Sequence, residues 1–366
     1  MNRYSRHINL SEIGQTGQNR LTNAKVLVVG AGGLGCPVLQ YLAAAGIGKL
    51  GIIDFDTVEL SNLQRQILYG KSSLGQNKAE AAKTRLQDLN DTISIKAYPE
   101  RLTHQNAIEL FNKYDIIVDG TDNFETRYLI NDAAIITNKP LVFGAIYKFE
   151  GQVSVFNYNN GPSYRCLFQN KLKHQLNCSE VGVLGVLPGI IGTMQANEVL
   201  KIVLGIGDVL SGKILIYNAL TLQNTILKVK KSETKIKTVL QERNSFSSKN
   251  IDAICNIESN IISIKTALEK KNSQFIDVRE LNELPKIKSI KVTSIPLNDL
   301  ENQLDKIELN KTKLIFCQSG KRSQLAVSKL NELKINNCYA IKASISEIEI
   351  YLKAYHNKLI NDNKEF

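Results

Sequence analysis

The chain contains 366 residues, 43% of them hydrophobic and 22% charged, and its formal net charge is +11. This length suits two domains of a globular protein, one large and one small. The longest apolar run, 181–194, is interrupted by glycine and proline, and the first ten residues lack the apolar core of a signal peptide. We therefore expect a cytoplasmic protein without membrane contact. The positive charge is spread along the chain without an aromatic and basic motif, which argues against nucleic-acid binding.

The first part of the chain, residues 1–227, alternates predicted strands with predicted helices. A buried strand at 25–30 leads into a helix that ends at Gly46, and a second strand follows at 50–55. After a polar stretch, a helix is predicted from Lys78 to Leu89. Further strands are predicted at 94–97, 115–119, 140–145, 151–158 and 213–219. This order is typical of a doubly wound, mostly parallel, Rossmann-like α/β sheet, with the last two strands as an antiparallel extension.

A stretch rich in Lys, Ser, Glu and Asn at 228–254 shows little periodicity, and we interpret it as a linker. The residues beyond it, 255–366, are predicted to form a second, smaller α/β domain. Its short strands are predicted at 275–279, 290–295, 313–316 and 337–341, and its helix at 323–333.

The first strand is followed by the glycine-rich loop Gly30-Ala31-Gly32-Gly33-Leu34-Gly35, and the second strand is followed by an acid, Asp54. Glycines let the backbone approach a nucleotide, a helix N-terminus attracts anionic groups, and an acid at this position can bond ribose hydroxyls. The pattern therefore predicts a nucleotide site. On its own it favours an NAD-dependent dehydrogenase, or a tight strand-to-helix turn without a ligand.

Polar and basic residues follow the predicted ribose acid. They are the run Ser61, Asn62, Leu63, Gln64 and Arg65, and then Lys78. A redox enzyme has little use for such a cluster, whereas cleavage of ATP between its α- and β-phosphates builds up charge that these groups can stabilise. Asp122, which follows the strand at 115–119, is a candidate Mg²⁺ ligand. The chain has no GxxxxGK[ST] loop, which excludes a P-loop ATPase.

Several motifs occur in the order and spacing found in MoeB, ThiF and the ubiquitin-activating enzymes. They are RYSRH at 3–7, GAGGLG at 30–35, DFD at 54–56, SNLQRQ at 61–66, GQNK at 75–78, TDN at 121–123, and Gly144 with EGQ at 150–152. Over residues 1–225 the chain resembles this family of adenylyltransferases.

The resemblance implies a set of ATP contacts. They are Gly33, Asp54, Asn62, Arg65, Lys78, Asp122 and Asn123, with Ser61, Leu63 and Gln64 beside them. It also implies that Asp122 holds Mg²⁺, and that Arg6 reaches the triphosphate bound to the neighbouring subunit of a homodimer.

The resemblance implies a protein substrate as well. In this family the C-terminal glycine carboxylate of a small ubiquitin-like sulfur carrier attacks the α-phosphorus of ATP, which gives an acyl-adenylate and pyrophosphate. The SNLQRQ run favours a MoaD-like carrier, which serves molybdopterin synthesis, over a ThiS-like carrier. A cysteine desulfurase is the kind of sulfur donor that such a system needs.

Six cysteines are scattered along the chain. Cys178 falls where ThiF and the fused eukaryotic relatives of MoeB have a loop cysteine, so the resemblance makes it a candidate acyl acceptor, and a free loop thiol is the alternative. We assign Cys36, Cys255 and Cys338 to packing.

Zinc is expected to be absent. MoeB-type proteins usually hold zinc with two C-x-x-C pairs, but here Ser163 stands where the first pair begins, and 228–235 contains no cysteine. Cys166 alone cannot make a tetrahedral thiolate site.

The segment Cys317-Gln318-Ser319-Gly320-Lys321-Arg322-Ser323 lies between a predicted strand and a predicted helix. Converging N–H groups and a helix N-terminus favour a thiolate and would also hold an anionic persulfide. The segment resembles the active-site loop of rhodaneses and of some phosphatases, and FIDVRE at 275–280 is the companion rhodanese motif, with Asp277 and Arg279 in structural roles. Over residues 255–360 the chain resembles a rhodanese with Cys317 as the nucleophile, and a degenerate docking domain is the alternative.

Two other classes of function stay open at this point. An NAD-dependent dehydrogenase would require the set Arg65, Lys78 and Asp122 to be coincidental. A non-catalytic scaffold would only bind a carrier and other sulfur-trafficking proteins.

Overall fold

The computed structural model describes residues 3–168, 182–248, 260–270, 272–287, 289–318, 320–345 and 347–351. The chain divides into two compact units, Met1–Lys249 and Asn250–Phe366. Cys178 and Cys255 lie outside the described residues. Among the residues described, no helix has both the length and the apolar character needed to cross a membrane.

The first unit is built on one eight-stranded sheet. Its helices are α1 Ser5–Ile8, α2 Gly14–Asn23, α3 Gly35–Ala45, α4 Lys78–Leu89, α5 His104–Phe111, α6 Phe124–Ile136, α7 Tyr164–Leu167, α8 Leu187–Leu204 and α9 Glu233–Gln241. Its strands are β1 Lys25–Val29, β2 Lys49–Ile53, β3 Ser94–Tyr98, β4 Ile116–Asp119, β5 Leu141–Tyr147, β6 Glu150–Phe156, β7 Lys213–Asn218 and β8 Asn224–Lys228.

The strands lie in the order β3-β2-β1-β4-β5-β6-β7-β8. The first five are parallel, and β6, β7 and β8 each pair antiparallel to the strand before them. Along β1, Val26 and Val28 join one apolar core while Leu27 and Val29 join another, because successive side chains of a strand point to opposite faces. The predicted Rossmann-like sheet with an antiparallel extension is confirmed.

The pairing register brings three strand ends together at one edge of the sheet. Val29, at the end of β1, pairs with Ile53 at the end of β2 and with Asp119 at the end of β4. The glycine loop, Asp54 and the segment 120–123 therefore leave the sheet side by side. In open parallel sheets, ligands bind at this carboxyl edge, where the direction of strand order reverses.

The segment predicted as a linker, 228–254, is folded over its described part. β8 ends at Lys228, and α9 packs against α6. Val239 and Phe246 are buried, and the Phe246 ring lies 4.8 Å from the His104 ring, centre to centre. Most residues of 228–248 are exposed, but the structure differs from an unstructured linker here, because α9 forms and Val229, Val239 and Phe246 are buried.

The second unit is a five-stranded sheet in the order β11-β10-β12-β13-β9, with every pair parallel. Its strands are β9 Ile261–Ile262, β10 Ser273–Asp277, β11 Val292–Ser294, β12 Thr312–Phe316 and β13 Cys338–Ile341, and its helices include α10 Ile264–Glu269 and α11 Lys321–Glu332. The predicted smaller α/β unit is confirmed.

Candidate active sites

The glycine loop makes the close strand-to-helix turn that its sequence predicts. Gly30 has a φ of +91°, in the left-handed region that favours glycine. A Cβ added at Gly35 would lie 1.9 Å from the Gly30 carbonyl oxygen, so no other residue fits there. The start of α3 thus packs directly on the end of β1, with its first N–H groups at the carboxyl edge.

Asp54 shapes this loop from the neighbouring strand. Its carboxylate oxygens accept hydrogen bonds from the backbone N–H groups of Ala31, at 2.8 Å, and of Asp56, at 2.9 Å. Burial raises the pKa of Asp54, and these two N–H groups oppose that rise. Each oxygen has a second lone pair, so the carboxylate keeps the capacity to accept from a ribose hydroxyl.

Lys78 lies at the start of α4 with its side chain almost fully buried, and its Nζ is 2.5 Å from a carboxylate oxygen of Asp56. Asn77 caps the helix and also donates to the Asp54 and Asp56 carbonyls. Tyr69 donates to the Ala31 carbonyl in the glycine loop. Sequence reasoning gave Tyr69 no role, since its sequence neighbours carry no ligand motif.

The run Ser61–Arg65 divides into residues that face the loop and residues that support it. A Cβ added at Gly33 would lie 3.6 Å from Arg65 Cγ, so the Arg65 stem lies against the glycine loop. Asn62 is buried and its side-chain oxygen accepts from the backbone N–H of Glu59. Leu63 packs against an apolar core, and the Gln64 side chain lies beside Gly185.

Asp122 lies in a segment whose other members are held in place. Gly120 donates from its backbone N–H to the Val29 carbonyl at 2.8 Å, and Thr121 donates from both its N–H and its hydroxyl to Asp119. Asn123 caps α6 by accepting from the Thr126 N–H. Asp122 itself is exposed at the carboxyl edge of the sheet.

Sequence reasoning missed two residues beneath this segment. Asp119 is buried, and burial raises its pKa while the nearby Arg127 lowers it. Arg127 donates to the Thr121 carbonyl at 3.0 Å, and its guanidinium lies about 5.5 Å from the ring centres of Phe124 and Phe143. The signal in the sequence is spacing, because Arg127 lies one helical turn after the cap residue Asn123.

Arg6 lies at the other edge of the sheet. Its neighbour Tyr4 accepts a hydrogen bond from the Asn90 side chain, and the Tyr4 ring lies beside Gly46. Gly46 and Asn90 both precede strands, so α1 packs at the amino edge, roughly 16 Å from the carboxyl edge for strands of this length. The structure therefore does not bring the exposed Arg6 to the glycine loop of its own chain.

The Cys166 sulfur accepts hydrogen bonds from two backbone N–H groups and donates to the Ser232 carbonyl. The backbone N–H groups of Ser163 and Ser232 donate to its Sγ at 3.4 and 3.3 Å. Lys235 Nζ donates to the Arg165 carbonyl nearby. Within the described ranges, no group of three or more His, Cys, Asp or Glu side chains could hold a metal ion.

In the second unit, Cys317 follows β12 directly and is fully buried. Its Sγ accepts from the Ser323 N–H at 3.4 Å, and the Ser323 hydroxyl donates to the Gly320 carbonyl. Gly320 has a φ of +83°, in the left-handed region that favours glycine, and α11 begins at the next residue. This is the strand, loop and helix order that the sequence predicts for a persulfide site.

Asp277 and Arg279 have the structural role expected of them. Arg279 is 1% exposed and donates to both carboxylate oxygens of Asp277. Cys36 and Cys338 are buried, and burial raises their pKa values to about 12 and about 11, which fits packing roles.

The ThiF family model matches residues 4–238. The chain belongs to the ThiF family. A model of the rhodanese-like domain matches residues 262–350, so this ThiF family member also carries a rhodanese-like domain.

Several relatives match this chain along most of their own length. A probable molybdopterin-synthase adenylyltransferase of Porphyra purpurea is 42% identical over 345 residues, which cover 90% of this chain and 88% of the relative. An adenylyltransferase and sulfurtransferase MOCS3 of Aedes aegypti is 39% identical, with 90% and 82% covered. A sulfur carrier protein adenylyltransferase of Thermus thermophilus is 52% identical over 227 residues, 60% of this chain and 84% of the relative.

A solved structure shares the fold of the first unit. The crystal structure of E. coli MccB with ATP has a TM-score of 0.55 and 24% identity, and the match covers 63% of this chain and 72% of that chain. ThiF family membership favours the adenylyltransferase interpretation of the glycine loop over the NAD-dependent alternative.

Proposed function

We propose that this chain activates a ubiquitin-like sulfur carrier with ATP and supplies it with sulfur. In the first unit, a C-terminal glycine carboxylate oxygen of the carrier bonds to the α-phosphorus. The bond from that phosphorus to its bridging oxygen breaks, and pyrophosphate leaves with the electron pair. In the second unit, Cys317 carries the sulfur as a persulfide that a cysteine desulfurase or a similar protein supplies.

The meeting of three segments at the carboxyl edge supports this proposal most strongly. The glycine loop, Asp54 and the segment 120–123 follow strands whose last residues pair with one another. Arg65 and Lys78 bring two cations to the same place, where charge develops as pyrophosphate departs. Asp122 is an exposed carboxylate at this edge, and it suits Mg²⁺, which would neutralise phosphate charge when bound.

An exposed apolar patch beside this edge supports a protein substrate. The exposed apolar side chains here are Tyr147, Phe149, Leu184, Val186, Leu220 and Leu222, each at least 40% exposed. Backbone hydrogen bonds bring their segments together, from Leu184 to Lys148 and from Ala219 to Phe149. The segment 183–188 connects the patch to the nucleotide loop, because Pro188 lies against Gly33 and Gly185 against Gln64. Contiguous exposed apolar surface is a mark of protein docking. Relatives named as molybdopterin-synthase adenylyltransferases make a MoaD-like carrier the favoured occupant.

We expect Asp122→Asn to abolish carrier-dependent exchange of pyrophosphate into ATP, since the amide lacks the charge that holds Mg²⁺. Exchange of labelled pyrophosphate with a MoaD-like carrier measures this directly. Glu125→Gln, which removes an exposed carboxylate on the first turn of α6, three residues after Asp122, is the matched control and should leave exchange unchanged. Wild-type exchange in Asp122→Asn would disprove the assignment.

We infer that Arg6 serves the ATP site of a second copy in a homodimer. The argument is that α1 lies at the amino edge while the nucleotide loop lies at the carboxyl edge. Arg6 can therefore contribute to a triphosphate only from a neighbouring subunit.

We propose further that the Cys166 region holds no zinc. One thiol surrounded by backbone N–H groups and a lysine lacks the ligand set of a tetrahedral site. The roles of Cys178 and the cytoplasmic location stay predictions.

A further inference from the structure

A carboxylate outside the cysteine loop is bonded to that loop. Arg322, in the first turn of α11, donates from Nη1 and Nη2 to the two carboxylate oxygens of Glu283 at 2.5 and 2.8 Å. The two side chains are only 27% and 29% exposed. A bidentate pair of this kind fixes the orientation of the guanidinium as well as attracting it. Arg322 also lowers the pKa of Glu283 to about 2, so the pair is ionised at neutral pH.

Glu283 is itself held in place by its own segment. Its Oε1 accepts from the Glu280 N–H at 2.9 Å. The buried Arg279 donates to Asp277 and, at 2.8 Å, to the Pro285 carbonyl, so both ends of the segment 279–285 are anchored. The segment that carries Glu283 is therefore fixed by its own hydrogen bonds before Glu283 contacts Arg322.

The same segment contacts the cysteine loop at a second point. Arg279 Nη1 donates to the side-chain oxygen of Gln318 at 3.4 Å. Gln318 directly follows Cys317, and Arg322 directly precedes Ser323, whose N–H donates to the cysteine sulfur. The segment 279–285 thus contacts the cysteine loop at two points that both follow Cys317, and a shift of Arg322 would move the N–H group of Ser323, which faces the sulfur.

We propose that Glu283 is a positioning residue for sulfur transfer at Cys317 and that it acts through Arg322. The inference rests on the proposed sulfur transfer of the second unit. Glu283 holds Arg322, Arg322 fixes the first turn of α11, and that turn keeps the Ser323 N–H directed at the sulfur. We call the Glu283–Arg322 contact the brace. Cys317 has no exposed surface, and in this proposal the brace also keeps the thiol covered.

Steady-state sulfur transfer from thiosulfate to cyanide by the full chain tests the positioning. In Glu283→Gln we expect kcat to fall about tenfold, since a small misplacement near a reacting group is costly, while KM for thiosulfate changes less than about twofold. Glu280→Gln, which removes an exposed carboxylate from the same segment but keeps the backbone N–H, should behave as wild type. Equal kcat values for the two variants would overturn the proposal. A lower KM with unchanged kcat would also overturn it, because Glu283 would then act by offsetting the charge of Arg322.

Alkylation of Cys317 by iodoacetamide, followed by peptide mass spectrometry, gives a readout that needs no enzymatic activity. We expect the alkylation rate to rise several-fold in Glu283→Gln, because loosening the brace uncovers the thiol. An unchanged rate would contradict the positioning role. If wild-type protein transfers no sulfur, the proposed function fails while this measurement still tests the brace. If Glu283→Gln does not fold, Arg322→Lys, which keeps the charge but loses the two-point geometry, should show the same rise.

Discussion

One sulfur atom, that of Cys166, accepts from two backbone N–H groups that are far apart in the sequence. Ser163 and Ser232 supply these groups, and Lys235 donates to the carbonyl next to the cysteine. The spacings Ser163-x-x-Cys166 and Ser232-x-x-Lys235 are those of two C-x-x-C pairs. Hydrogen bonds thus join α7 to the start of α9.

We predict that the purified protein contains much less than one zinc per chain, because a lone thiol with serine and lysine neighbours cannot complete four ligands. Inductively coupled plasma mass spectrometry of protein purified without chelator measures this. Cys166→Ser should leave the metal content unchanged. A stoichiometric value that falls in the serine variant would mean that Cys166 does bind zinc.

Among the elements, α9 differs most from what its sequence suggests. The segment from 228 to 248 is rich in lysine, and its apolar residues are few, so periodicity alone did not reveal a helix. The structure nevertheless places Val229 and Phe246 in the apolar core that includes residues of α5 and α6, and Val239 is also buried. The ThiF family model ends at residue 238, inside this helix.

We predict that Phe246→Ala lowers the stability of the first unit by about 3–5 kcal/mol, since it empties a fully buried aromatic site. The melting temperature of the first unit should fall by roughly 10 °C in differential scanning calorimetry. Leu240→Ala, at a position 40% exposed, is the matched control and should change stability little. Equal melting temperatures for the two variants would show that residues 242–248 belong to a linker after all.

The parts of the fold that could be predicted depend on residues that are close to one another in the sequence. The parallel strands, the glycine loop and the helix from Lys78 to Leu89 follow from apolar runs, glycines and the Asn77 cap, which are all near in sequence. The pairs Arg127 with Thr121 and Glu283 with Arg322 were missed for different reasons. The first resembles an ordinary polar turn of helix, and the second joins residues 39 positions apart, which only the tertiary fold brings together.

For the whole molecule, two units suggest two separable chemistries. The glycine loop and Asp122 belong to the first unit, and Cys317 to the second, and each has its own core. Neither set of predicted site residues shares a sequence motif with the other.

We predict that Cys317→Ala abolishes sulfur transfer from thiosulfate to cyanide and leaves carrier adenylation intact, because alanine removes only the persulfide attachment point. Asp122→Asn should show the converse. Both activities can be measured on one preparation of each variant. Loss of pyrophosphate exchange in Cys317→Ala, with an unchanged circular dichroism spectrum, would refute the separation.

The proposed homodimer, in which Arg6 contributes to the ATP site of the neighbouring subunit, can be tested with Arg6 variants. Arg6→Ala should reduce pyrophosphate exchange at least tenfold while leaving the dimer content unchanged in analytical ultracentrifugation, since the side chain is expected to contact phosphate and not the subunit interface. Mixing Arg6→Ala with Asp122→Asn should restore exchange, because a mixed dimer contains one intact site. Failure of the mixture to recover, with mixed dimers shown to form, would place Arg6 outside the partner's site.

The central position of β1 has a consequence for how the chain is made. Lys25 donates to the Asp115 side chain 90 residues later, and β1 pairs with β4 beyond it. During synthesis, β1 therefore stays without one of its two neighbours until residue 119 has left the ribosome. Parallel pairing across such separations is slow and leaves apolar strands exposed.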